Sequence, residues 1–368
     1  MNYYVVTNFH DHDRLRTSGG KGRDDYFEML RRTGLTCIEI PVLKRERTVS
    51  AADRIRLELR LPAVWNKALK GLGEGDTLFV HNPPSEKFIL FHRVLRKVQR
   101  RGCRIVVIVF DLEAFLTPYY RKSAGLKDYL SRRTERKLFE TADAMTVHND
   151  RMKEKIAGTG IDPGKMVSVG VMDYLRDEEI DVREVRAKRG ADKPAVFCGN
   201  LVPGKADFLR EIPEDLPLNV YGPGFTAKDR TNITYRGVCP SIELMDVMEG
   251  SFGLVWDGDS ARTGAGVCGE YLRCNNPHKI ALYLASGIPV VVWDESAMAE
   301  FVQAEHCGLA VSSLYKLPGL LAEMTESEYE ELFLNAVRVG AQMRRGAHLQ
   351  KAFEQVLELP QIPPAERK

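Results

Sequence analysis

The sequence predicts an α/β protein built from two consecutive parallel-sheet domains, and three observations carry that expectation. Short β-rich runs alternate with segments of helical length, the spacing of strand–crossover helix–strand units. The alternation pauses in a charged stretch, Asp173–Asp192, that is nearly free of aromatic residues and ends at Lys193-Pro194, then restarts at Ala195. The chain has 368 residues, 44% of them hydrophobic, which is enough for two cores of ordinary size. The expected division is residues 1–170, a connection over 171–194, and a second domain over 195–368.

In the first half the strand candidates are Tyr3–Thr7, Thr36–Ile40, Thr77–Val80, Arg104–Phe110 and Ala144–Val147. Helical segments such as Ala51–Leu72 and Glu86–Arg101 separate them. The second set is Ala195–Cys198, Leu218–Tyr221, Ile233–Tyr235, Gly253–Trp256, Pro289–Trp293 and Leu309–Val311, and Glu326–Leu357 reads as helix. In open α/β sheets ligands bind beyond the carboxyl ends of the strands, and two such domains facing each other make a ligand cleft.

Composition narrows the function classes. No apolar run approaches the ~20 residues that span a bilayer. Met1-Asn2-Tyr3-Tyr4-Val5-Val6 has no basic region ahead of an apolar stretch, so it reads as a first strand rather than a secretory signal. Seven scattered cysteines, none in CxxC spacing, read as reduced thiols of a cytoplasmic protein. The net charge of +2 conceals an asymmetry: residues 1–150 carry 28 Lys/Arg and 19 Asp/Glu, a balance of +9. A basic first half suits an anionic acceptor, a membrane surface or an acidic partner, but on charge alone a solvated face on ordinary helices is the simpler account. Arg132, Arg133, Arg136 and Lys137 form its densest patch. No nucleic-acid reader motif accompanies the charge, so nucleic acid is not an expected partner.

The stretch richest in chemistry runs from Gly253 to Trp293 and reads as strand, glycine-bearing loop, helix, turn, strand. Asn276 suits an N-cap and Pro277 the first helical position; Gly287 closes the helix and Pro289 opens the next strand. Lys279 then falls in the first turn, where the helix dipole disfavours a cation. An anion bound there reverses the argument, because free backbone N–H groups and a lysine together make a diphosphate site. The alternative is a Lys279 that simply extends into water.

Glu270-Tyr271-Leu272, Asn275-Asn276-Pro277-His278-Lys279 and Leu284-Ala285-Ser286-Gly287-Ile288-Pro289-Val290 resemble the signature of a bacterial glycosyltransferase family. That family includes the glucosyltransferases that extend sugars on serine-rich repeat adhesins and the β-galactofuranosyltransferases of surface-polysaccharide assembly. Phe197-Cys198-Gly199-Asn200-Leu201 with Lys205, Val220-Tyr221-Gly222 and Asp111-Leu112-Glu113 support the resemblance in weaker form. It implies two Rossmann-like domains facing a cleft (the GT-B fold), a nucleotide-sugar donor that is commonly UDP-linked, no further cofactor, and frequent homo-oligomers. The implied acceptor is a glycan or glycoprotein, or a lipid-linked glycan at the inner face of the membrane. By position, Lys279 and Asn276 would hold the donor diphosphate, with Gly199, Asn200 and Lys205 at the donor pocket. Tyr221 and Gly222 would border the nucleoside, and Glu270 would bind ribose or donor-sugar hydroxyls unless it pairs with Arg273. Cys274 stands where the resemblance leads us to expect an aromatic residue.

After the first strand come His10-Asp11-His12-Asp13 and then Gly19-Gly20-Lys21-Gly22. A glycine-rich loop at a strand's carboxyl end brings backbone close to phosphate or sugar, which puts Gly19 and Gly20 among the donor-site candidates. Asp257-Gly258-Asp259 has the D-x-D form that marks a metal in single-domain GT-A glycosyltransferases, but it ends a strand deep in the second half. We expect no required metal, with Lys279, Lys205 and backbone donors neutralising the leaving diphosphate. Asp111, at the end of a very apolar strand, is the first candidate for the base that an inverting transfer requires; the alternatives are Glu113, His10 and Asp11. Asp111 as the cap of the following helical turn is the structural alternative. A nucleotide-sugar epimerase and a non-catalytic sugar-nucleotide-binding subunit are the competing function classes.

Overall fold

The computed structural model describes residues 1–7, 18–41, 43, 51–84, 88–120 and 125–360. His10 and Asp11 lie outside the described residues. The elements in order are β1 (Asn2–Thr7), α1 (Ser18–Arg32), β2 (Thr36–Ile40), α2 (Ala51–Ala68), β3 (Thr77–Asn82), α3 (Phe91–Gln99), β4 (Arg104–Val109), α4 (Glu113–Tyr120), α5 (Leu126–Thr141), β5 (Ala144–Val147), α6 (Asp150–Ala157) and β6 (Met166–Ser168). There follow α7 (Val182–Ala187), β7 (Ala195–Cys198), β8 (Leu218–Tyr221), β9 (Ile233–Tyr235), α8 (Ser241–Val247), β10 (Gly253–Val255), α9 (Gly266–Tyr271), α10 (His278–Ala285), β11 (Val290–Trp293), α11 (Ala299–Ala304), β12 (Gly308–Val311), α12 (Leu317–Glu323), α13 (Glu326–Arg345) and α14 (Ala347–Glu358).

The strands form two six-stranded sheets in which every pair is parallel. Parallel strands covered by helices are buried on both faces, which is why β4 reads as Arg-Ile-Val-Val-Ile-Val and is buried along its whole length. The first sheet runs β2-β1-β3-β4-β5-β6, and the second β12-β11-β10-β7-β8-β9. The second is the Rossmann order, with its topological switch point between β7 and β10, where ligands of such sheets bind. Phe197, Phe208, Leu254, Trp256, Trp293 and Phe333 are among its core residues.

Among the described residues, one compact unit takes residues 1–7, 26–169 and 350–360, and the other 18–25 and 170–349. These bounds differ from the expected ones at three places. The last helix, assigned from sequence to the second domain, groups with the first unit. Phe353 packs edge-on against Phe79 and Tyr26, and the Arg104 guanidinium donates to the carbonyls of Val356 (2.8 Å) and Leu357 (2.9 Å), which are open acceptors at a helix end. The stretch read as a connection is packed into the second unit: Asp173 accepts from Leu349 N–H at 2.7 Å, and Arg189 donates to the carbonyls of Met248 and Ser286. The first turns of α1 also count with the second unit.

Two element readings are corrected. Glu326–Leu357 is two helices, because Gly346 takes a left-handed φ of 80° as the cap of α13. The short edge strand β6, Met-Val-Ser, was not foreseen; three residues give no readable alternation. All seven cysteines are free thiols, and among the described residues no helix is long and apolar enough to cross a membrane.

His148, just after β5, is buried, and burial pushes its pKa down to about 4, against about 6.5 in an unfolded chain. The unfolded chain therefore takes up this proton first as pH falls, so stability declines between about pH 6.5 and pH 4. At pH 5 the loss from this group should reach about 2 kcal/mol, and urea unfolding at pH 7 and pH 5 measures it. A His148→Gln variant should lose that share of the pH dependence; an unchanged difference would clear His148 of it.

Candidate donor site

Lys279 lies in the first turn of α10, as the sequence suggests, but it neither stands free nor extends into water. Its Nζ donates to Asp257 Oδ1 at 2.7 Å and to the Trp256 carbonyl at 2.8 Å, and sits 4.6 Å from the centre of the Phe197 ring. Both charged side chains are buried, Lys279 at 6% exposure and Asp257 at 7%. Burial pushes the Lys279 pKa down, the Asp257 carboxylate opposes that shift, and nearby Lys205 adds to it. Phe197 is on β7, while Trp256 and Asp257 follow β10, so the pair occupies the switch point of the second sheet. Two of the ammonium's three N–H donors are used in these bonds, which leaves one for a ligand.

The helix start differs in detail from the expected one. Pro277, not Asn276, is the N-cap residue, and its side chain makes no capping hydrogen bond. Asn276 is buried and donates to the Gly170 carbonyl at 3.1 Å, so a tertiary contact holds its side chain beside the helix start. Gly287 follows the C-cap with φ 65°, as expected of a helix-closing glycine.

The loops after β7, β8 and β10 are tied together by backbone. Gly199 N–H donates to the Tyr221 carbonyl at 3.0 Å, and Gly258 N–H to the Lys205 carbonyl at 2.8 Å. Gly222 has φ 132°, and a Cβ there would lie 1.8 Å from the Gly199 carbonyl oxygen, so only glycine fits. Tyr221 is buried, and its hydroxyl donates to the Val247 carbonyl at 3.4 Å. Asn200 is exposed and Lys205 half-buried. Glu270 pairs with Arg273 at 2.7 Å, the alternative weighed for it, and Arg273 also pairs with Glu295 and lies over the Trp293 ring. Cys274 is buried, its thiol directed at the Tyr271 carbonyl.

Gly19 and Gly20 are the second and third residues of α1, so that part of the expected loop is helix. A Cβ on Gly22 would meet the His278 ring at 2.8 Å, so a glycine lets α1 approach the first residue of α10. Lys21 pairs with Asp25, donates to the Leu175 carbonyl at 2.8 Å, and lies 4.7 Å from the Tyr174 ring centre. Burial raises the Asp25 pKa to about 6 despite Lys21. Sequence reasoning missed this group, although Lys21 and Asp25 stand at the helical i,i+4 spacing. It also passed over Asp257 as a partner for Lys279.

In the first unit, Asp111 and Glu113 follow β4 as expected. Glu135 caps the start of α4: its carboxylate accepts from Glu113 N–H (2.9 Å), Ala114 N–H (3.2 Å) and the Asn82 amide (3.0 Å). The Asn82 amide also donates to the Asp111 carbonyl at 2.9 Å, which fixes the backbone that carries Asp111. Glu135 sits in sequence among Arg132, Arg133, Arg136 and Lys137, where it reads as one more surface charge, and so went unnoticed.

Two parallel six-stranded sheets, the second with Rossmann strand order, are the architecture of the GT-B fold. Solved structures agree on the fold. A sucrose-phosphate synthase from Thermosynechococcus elongatus superposes with a TM-score of 0.65 at 14% identity, covering 98% of this chain and 99% of that one. Anabaena HepE in complex with UDP and glucose gives 0.51 at 11% identity, over 97% and 98% of the two chains. Residues 3–171 match the family model for the N-terminal domain of Glucosyltransferase 3-like proteins, and residues 195–356 match the model for their C-terminal domain. The chain belongs to this Glucosyltransferase 3-like family and is a glycosyltransferase. Among curated relatives, the β-1,6-galactofuranosyltransferase WbbI of Escherichia coli is 28% identical over 79% of this chain and 82% of its own. Glucosyltransferase 3 of Streptococcus gordonii is 22% identical over 72% and 74%.

Proposed function

We propose that the enzyme transfers a hexose, of the glucose or galactofuranose class, from a UDP-linked donor to a glycan or glycoprotein acceptor. The observation that carries the donor side is the buried Lys279–Asp257 pair at the β7/β10 switch point, in the first turn of α10. Asp257 keeps a desolvated ammonium charged before the donor arrives. The remaining Lys279 N–H and the first backbone N–H groups of α10 then meet the diphosphate, whose charge grows as the sugar leaves. Asn276, Lys205, Gly199, Asn200, Tyr221 and Gly222 surround this position as the rest of the donor site. The names of WbbI and the Gordonii enzyme, and the UDP bound by HepE, support this donor class.

On the acceptor side, which we assign to the first unit, Asp111 is the base of an inverting transfer. The acceptor oxygen forms a bond to the anomeric carbon, the bond from that carbon to the diphosphate oxygen breaks, and the acceptor proton passes to the carboxylate. A homo-oligomer and an acceptor carried on lipid at the inner membrane face belong to the same reading, and rest on the family resemblance and the basic first half.

The test is incubation with UDP-glucose and UDP-galactofuranose, reading UDP release with and without glycan acceptors. Release that depends on acceptor supports transfer; interconversion of donor sugars without acceptor would favour an epimerase. Activity should survive EDTA, because lysine and backbone donors take the charge. Loss in chelator with recovery in manganese or magnesium would contradict the metal-free reading.

A further inference from the structure

We infer that the helix layer formed by α2, α3 and α5 is a docking surface for an anionic lipid bilayer. Along the first sheet the steps β2 to β3, β3 to β4 and β4 to β5 run in one direction. Right-handed crossovers therefore put α2, α3 and α5 on a single face, and α2 packs on α3 and α3 on α5. Each helix runs back along the sheet, so all three start at the edge formed by the strands' carboxyl ends, the edge that carries Asp111.

The three helix starts repeat one arrangement. On α2, Ile55 and Leu59 are 63% and 75% exposed, and Arg56 and Arg60 beside them are exposed too. Before α3, Ile89 and Leu90 are 43% and 36% exposed, with Arg93 exposed one turn on. On α5, Tyr129 is 59% exposed, and Arg132 and Arg133 follow at i+3 and i+4 on the same helix face. Among the described residues of the first unit, only Met1 is an exposed large hydrophobic residue outside these three places. The acids nearby are fewer than the arginines: Asp53 pairs with Arg56 at 3.3 Å, Glu58 accepts the Ile89 N–H, and Asp128 is buried.

Apolar tips backed by arginines suit an interface where side chains enter the acyl boundary and guanidinium groups meet lipid phosphates. A soluble acidic partner would account for the arginines but not for exposed Ile55, Leu59 and Tyr129. With no spanning helix among the described residues, the association is peripheral. The inference does not depend on the donor site, since every residue in it belongs to the first unit.

Flotation of the full chain with vesicles tests it. Vesicles of equal parts phosphatidylcholine and phosphatidylglycerol should carry the protein, phosphatidylcholine alone should not, and added salt should weaken the association. Arg132→Glu with Arg133→Glu should weaken binding on the order of tenfold or more, taking about fivefold per arginine. Leu59→Ser with Tyr129→Ser should weaken it without altering the net charge. All four positions are exposed, so melting temperature should stay near that of the parent chain and serve as the control. No association with the mixed vesicles, or association of both variants equal to that of the parent chain, overturns the inference. So does a variant that changes oligomeric state in sedimentation while vesicle binding is retained, because the face would then join copies of this chain.

Discussion

Lys279→Ala is expected to destabilise the second unit by about 3–5 kcal/mol, the cost of leaving a buried carboxylate without its partner. Asp257 is 7% exposed and receives the Lys279 ammonium at 2.7 Å, so removing the lysine leaves a buried carboxylate without that partner. At ~2–4 °C per kcal/mol for a unit of this size, the melting temperature should fall by about 10 °C. Changing both partners to neutral groups of similar shape, Lys279→Met with Asp257→Asn, should recover most of that loss, since a buried ion pair contributes little net stability against well-packed neutral side chains. A single variant as stable as the parent chain would show that the pair is already solvated or that the site relaxes to admit water.

The second large effect falls on chemistry rather than folding. Asp111→Asn keeps size and most hydrogen bonding but removes the base, and kcat should fall on the order of 100-fold or more with UDP affinity nearly unchanged. Folding should survive, because Glu135 accepts the first N–H groups of α4 and Asn82 holds the Asp111 backbone through its carbonyl, neither of which the substitution touches. Near-parental kcat eliminates Asp111 as base and moves the search to Glu113, His10 and Asp11. A product that keeps the donor's anomeric configuration would remove the need for a simple base at any of them.

Most of the strands were legible because parallel strands buried on both faces must be short apolar runs, and this chain punctuates them with glycine, proline and charge. Thr36–Ile40, Ala144–Val147, Ala195–Cys198, Leu218–Tyr221 and Ile233–Tyr235 match to the residue. What escaped is decided by long-range contact. Nothing local in Gln350–Leu357 tells a helix of one unit from a helix of the other; the difference lies in Phe353 meeting Phe79 and in Arg104 reaching the last carbonyls. Gly346 was visible as a residue, but the apolar pattern continues on both sides of it and hides the break.

The residues of the candidate donor site were singled out from the sequence, but their local geometry was misread. Lys279 was singled out because a cation in a first helical turn needs a reason, and a bound anion is one such reason. The structure supplies another as well: Asp257, more than twenty residues earlier, is brought against it by the β10–α10 packing. The D-x-D form drew attention to Asp257 as a metal mark, whereas its carboxylate is engaged by the lysine. Glu135 and the Lys21–Asp25 pair were hidden in the same way, as charges in charged surroundings whose burial no spacing reveals.

The central claim is that Lys279 binds the donor diphosphate, and titration calorimetry with UDP on the Lys279→Met, Asp257→Asn double variant tests it most directly. That variant keeps the fold while losing the cation, so instability does not confound the result. The expected outcome is UDP binding at least about tenfold weaker than in the parent chain, the loss of one charge-assisted contact to phosphate. UDP binding of unchanged affinity in the folded double variant would contradict the claim and place the donor elsewhere.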